Sequence, residues 1–180
     1  MKRFILTLIA VLLIGGCASP GYTNHIYLIP QEYEGSFTVF FNIPGAPELK
    51  KEGEFAVIPL EKTNIETLHQ TNYSTYGYAL TSRKEPYLPK AATYQYNNKY
   101  YYIDKAGKRK EIDPYCVHER GVGGNTEANG KEIGYVDVQV TQSECGEDFY
   151  LNGKKEYTTQ SKEAKKELLI NLLSGKSPSP

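Results

Sequence analysis

Apolar and polar positions alternate at several points along the chain, and each alternation predicts a strand. HIYLIP, 25–30, is a short apolar run stopped by Pro30. SFTVFFNI, 36–43, sets Phe37, Val39 and Phe41 against Ser36, Thr38 and Phe40. PGAP, 44–47, is a stiff turn with glycine between two prolines, and EFAVIPL, 54–60, is the strand that follows. YALTS, 78–82, YVDVQV, 135–140, and DFYLNG, 148–153, also read as strands. TYQY, Asn97-Asn98 and KYYYID form a hairpin pattern, because asparagine tolerates the positive φ of a tight turn. KAGK, 105–108, is a second turn, and RKEID, 109–113, a third strand of that meander. Residues 61–77 are ambiguous, with NIETLHQ fitting a helical turn or a loop. In SKEAKKELLINLLSG the period becomes helical. Ala164, Leu168, Leu169, Leu172 and Leu173 form one apolar stripe, Ser161 is placed to cap it and Gly175 to end it. The expected fold is mainly β, an antiparallel β-sandwich-like domain with a C-terminal α-helix. Its expected parts are a β-rich domain at 25–157, a helix at 158–175 and a disordered tail at 176–180.

The first residues follow neither period. Lys2 and Arg3 precede an apolar stretch, Phe4 to Ile14, of signal-peptide length. It is shorter than the roughly 20 residues that span a bilayer. Ile14-Gly15-Gly16-Cys17 has the form of a bacterial lipobox: an aliphatic residue, two small residues, then a thiol that takes a diacylglyceryl group. On that reading residues 1–16 are a leader, Cys17 carries palmitate-type acyl chains, and 17–24 is the tether. Two or three chains anchor stably where one does not. The expected location is the cell envelope. Ala18 after the cysteine points to the outer membrane if the host is Gram-negative. Loss of the leader removes two basic residues and leaves 19 against 21 acidic ones. That balance gives no footprint for nucleic acid.

The chain has 16 tyrosines and no tryptophan. Tyrosine favours strands and carries an apolar body with a polar tip, so the composition agrees with the strand pattern. Five tyrosines, Tyr94, Tyr96, Tyr100, Tyr101 and Tyr102, crowd one short stretch. They form either sheet packing or a ligand surface. With Cys17 lipidated, Cys116 and Cys145 remain, and an exported pair reads as a disulfide. A zinc site would need two more ligands. His118 lies near Cys116, but no fourth candidate stands close, so no metal and no cofactor are expected.

Motifs for catalysis are missing. In GGNTEANGKE, 123–132, five residues separate Gly124 from Gly130, and Glu132 stands where a phosphate loop needs a hydroxyl. The stretch reads as a flexible loop. His118 and Glu119 are adjacent, and neighbours in a strand point to opposite faces. His69 has no acid or nucleophile spaced to serve it, and the three histidines, His25, His69 and His118, are the natural general bases to test. The expected protein is therefore not an enzyme. It docks an envelope protein partner or, as the alternative, binds glycan or cell wall through exposed tyrosines. A small hydrolase ranks below both.

IYLIPQEYEGSFTVFF, PGAP, EGEFAVIPL, YALTS and YYYIDKAGKRKEI together resemble a family of bacterial lipoproteins classed as domain of unknown function 6843. Pro30, Gly35, Gly45, Pro47 and Pro59 carry the match, over roughly 26–113. The family usually has a glycine soon after the second Ile-Pro, where this chain has EKTNIETL. The resemblance implies a β-rich, sandwich-like exported domain and supplies no catalytic residues.

Overall fold

The computed structural model describes residues 22–64, 75–84, 95–126, 130 and 132–173. Cys17, His69, Tyr94 and the tail 176–180 lie outside the described residues. The strands are β1 (Tyr22–Thr23), β2 (His25–Pro30), β3 (Gly35–Phe41), β4 (Lys50–Glu52), β5 (Phe55–Pro59) and β6 (Glu61–Asn64). They continue as β7 (Thr75–Leu80), β8 (Gln95–Tyr96), β9 (Lys99–Ile103), β10 (Arg109–Glu111), β11 (Val117–Thr126) and β12 (Glu132–Val140). Two helices follow, α1 (Glu147–Asn152) and α2 (Lys155–Leu173).

Ten strands form two five-stranded sheets. The first has the order β10-β9-β2-β5-β4, the second β11-β12-β3-β7-β6, and β1 pairs separately with β8. The fold is mainly β with a C-terminal helix, as the alternation predicts, but the sheets are mixed rather than antiparallel. β2 is parallel to both its neighbours, β5 and β9, and β3 is parallel to β7. The reason lies in the 31–34 turn. It sends β3 into the opposite sheet, so β2 takes its partners from later, distant parts of the chain.

Every residue of β3 is buried. Phe37, Val39 and Phe41 face the first sheet, in one core with Tyr27, Ile29, Ile58, Val136, Val138 and Val140. Phe40 faces the other way and packs with Tyr76, Ala164 and Leu168 under α2. The molecule is thus three layers: sheet, sheet, helix. Ser36 and Thr38, polar members of the alternation, lie beneath α2 and are satisfied there. The Ser36 N–H donates to Gln160 Oε1 at 2.8 Å, and Thr38 Oγ1 donates to Asp137 Oδ1 at 2.6 Å. Lys165 of α2 pairs with the same aspartate.

Three local expectations change. Residues 148–153 are not a strand, because Glu147–Asn152 is helix α1. Glu147 and Asp148 favour its first turn, Gly153 (φ +63°) ends it, and Asn152 donates to Asp148 at 2.7 Å. Six residues are too few for a period to separate helix from strand. The Asn97-Asn98 hairpin does not form: β8 pairs in parallel with β1, and β9 lies beside β2. Within that predicted meander, the turn at KAGK alone joins sheet neighbours, β9 and β10. Ser161 does not cap α2. The helix begins at Lys155, and Ser161 is buried within it.

Candidate functional site

Cys116 and Cys145 are bonded to one another, which leaves neither thiol for a metal. Cys116 ends a 3-10 turn, Pro114–Cys116, whose start is fixed by Asp113 accepting from the Tyr115 N–H at 2.9 Å. The bond ties this turn and the start of β11 to the loop before α1. A backbone bond from Gly146 N–H to Tyr115 O, 3.0 Å, tightens the junction.

This staple brings two tyrosines to the surface side by side. Tyr115 is 54% and Tyr150 is 50% exposed, with ring centroids 5.9 Å apart and an interplanar angle of 69°. Leu151, 59% exposed, extends the patch. His118 holds α1 from beneath: its Nδ1–H donates to the Tyr150 carbonyl at 2.8 Å. The patch borders a groove of about 510 Å³ that runs along β11 past Tyr100, Glu119 and Asn98. Tyr100 and Asn98 both donate to Glu119 Oε1, Asn98 at 3.0 Å. Burial pushes the Tyr100 phenol well above its usual range, and the nearby Tyr27 and Glu119 push it further.

β11 is also an edge of its sheet. The other three edges of the two sheets are short and charged: KKE in β4, RKE in β10 and EKTN in β6. β11 has ten residues, and beyond its bulge at 119–121 it runs uncharged from Gly121 to Thr126. Charges and shortness are how sheet edges avoid pairing with other chains, and this half-strand has neither. The stretch read as a loop at 123–132 therefore begins as strand, with 123–126 paired to 132–135.

The tyrosines singled out in the sequence are placed differently. Tyr100 is buried and stacks on Tyr27, centroids 4.8 Å apart and planes within 7°. Tyr102 is half-buried against the same core, and burial raises its phenol to about 12. Tyr101 faces the opposite side, beside Ile26 and Leu28. Tyr96 sits in β8 opposite Thr23. Tyr100, Tyr101 and Tyr102 thus divide between two faces and form no single platform. His118 and Glu119 likewise stand opposite Gln139 and Val138, on different faces of β11, so they form no acid–base pair. His25 is buried between the rings of Tyr27 and Phe41.

Residues 21–149 match the model of a family of unknown function, DUF6843. The chain belongs to this family. The DUF6843 match takes in both sheets and the disulfide, and it ends inside α1. A crystal structure of a candidate lipoprotein from Bacillus anthracis is similar over a wider span. It shares 32% sequence identity and a TM-score of 0.63, covering 84% of this chain and 96% of that one. No curated protein matches the chain. Tyr115 and Glu119 fall within the DUF6843 region, while Tyr150 and Leu151 lie just beyond it. Among the described residues no helix is long and apolar enough to cross a membrane.

Proposed function

We propose that this chain is a non-enzymatic envelope protein, held to a membrane by lipid on Cys17, that docks a partner protein through the Tyr115–Tyr150–Leu151 patch. The observation that carries it is that patch: three large exposed side chains together at the mouth of a groove. Aromatic anchors set in such surroundings dominate protein interfaces. Glycan binding is less well served, since rings at 69° offer no flat row for successive sugars.

The membrane reading draws on the lipobox sequence and on the likeness to a candidate lipoprotein. In a two-membrane envelope Ala18 favours the outer membrane; in a single-membrane host the domain stands on that membrane's outer face.

Labelled palmitate should enter the wild type, and Cys17→Ala should move the protein to the soluble fraction. Retention of that variant on membranes would remove the anchor. For docking, Tyr150→Ala with Leu151→Ala should cut partner recovery at least tenfold without lowering the melting temperature. Undiminished recovery would remove the patch.

A further inference from the structure

The first sheet carries a second apolar face, turned away from the other sheet. Ile26, Leu28 and Val57 are buried there, with Phe55, Tyr101 and Ile103 packed against them. The register shows how this face is enclosed. Arg109 stands opposite Ile103, which stands opposite Pro30 at the end of β2. Glu52 stands opposite Phe55, one residue before the partner of His25 at the start of β2. Arg109 and Glu52 therefore occupy diagonal corners of a five-stranded sheet. Laid flat, at ~3.3 Å per residue and ~4.8 Å per strand, those corners would be roughly 27 Å apart. Yet they form a bidentate ion pair, with contacts of 2.7 and 2.6 Å. The sheet is coiled until the two corners meet, as right-handed twist allows. Both residues share a face with the cluster, through Ile103 and Phe55, so the ion pair closes over it.

Beneath the closure runs a groove of about 480 Å³. Its apolar lining is Leu28, Pro47, Leu49, Val57, Pro59 and Leu80, with Ala79, and among the described residues none that lines it is aromatic. In a chain with 16 tyrosines that is a marked local choice. A sugar or flat ring would find no stacking partner, whereas a flexible aliphatic chain matches such walls. Its charged lining residues are Glu48, Lys50, Glu61 and the ion pair itself. Its volume lies within the ~300–1,000 Å³ of small-molecule pockets.

We infer that this groove binds one long alkyl chain, with the head group at the charged rim and the Arg109–Glu52 pair as its clasp. The chain has two sources of the same chemistry, a free fatty acid or an acyl chain of the protein's own Cys17. The second source rests on the anchor reading, and the first does not.

Full-length Cys17→Ser protein, which cannot be lipidated, is titrated with cis-parinaric acid, a fluorescent fatty acid. Saturable binding displaced by palmitate is expected. In that background Leu80→Trp should weaken it at least tenfold by filling the groove. Lys50→Trp, on an exposed edge strand, decides the matter if Leu80→Trp does not fold. Glu52→Gln should speed release of the probe severalfold. Lipidated wild type binding the probe at least tenfold more weakly assigns the groove to the protein's own acyl chain. Equal binding assigns it to a free lipid. Absence of saturable binding to the Cys17→Ser protein, or unchanged affinity in a folded groove-filling variant, overturns the inference.

Discussion

Glu34 shows how single residues hold the helix to the sheets. Partial burial alone would push its carboxyl up, but hydrogen bonds reverse this and hold it below the usual carboxylate range. Tyr157 of α2 donates at 2.6 Å, the Gln142 N–H at 3.0 Å, Ser143 at 2.8 Å and Thr141 at 3.2 Å. A depressed native value means that the stabilisation is complete above the unfolded carboxylate value and is lost as pH falls through the native one. Thermal melts of wild type and Glu34→Gln should therefore differ at pH 7 and converge toward pH 3. A gap that widens in acid would contradict the sign. Gly77 is a second such residue. Its N–H donates to the Tyr33 hydroxyl at 2.8 Å, and an added Cβ would lie 2.8 Å from Phe37 Cβ, which cannot move without its strand. Gly77→Ala should cost roughly 1–3 kcal/mol in urea unfolding, the usual range for overpacking. Burial also pushes the Tyr33 phenol well above its ordinary value, with Tyr76 adding to it. Among the described residues, tyrosine is chiefly core material.

Elements differ in how far their positions can be read from the chain. β2, β3, β5 and β12 follow strict alternation or unbroken apolar runs, and α2 follows its leucine stripe. β11 carries His118, Glu119, Arg120 and then three glycines in four residues, which announces no face. Pairing holds it: it is a strand because β12 runs beside it and Gly123 leaves room for the Tyr135 ring, 2.4 Å from where a Cβ would be. Parallel pairing was equally illegible, since it joins segments with no local turn between them. The surface patch had one usable signal. Tyr115 adjoins Cys116, and Tyr150 follows Cys145 by five residues, so the staple itself predicts that they meet. Its removal is informative at this scale. Cys116→Ser with Cys145→Ser opens a loop of separation 29, worth roughly 3–4 kcal/mol in the chain-entropy model. The melting temperature should fall accordingly, and partner recovery should fall with it as α1 loses its register against β11. A double variant as stable as wild type would contradict the first expectation. On the other side of the sandwich, Leu168→Ala removes a side chain buried between α2 and β3. It should cost about 2–4 kcal/mol while leaving the patch intact.

At the scale of the molecule, the proposed reading combines a lipid on Cys17, ahead of the start of β2, with a docking patch of Tyr115, Tyr150 and Leu151 on the exposed surface beside the disulfide. The direct measurement is photo-crosslinking in intact cells, with a benzophenone amino acid placed at Tyr150 and, as a control, at exposed Glu54. Docking through the patch requires one envelope protein captured repeatedly from position 150 and absent from position 54. The same capture from both positions, or none from position 150 in cells that retain the lipidated protein, would contradict it.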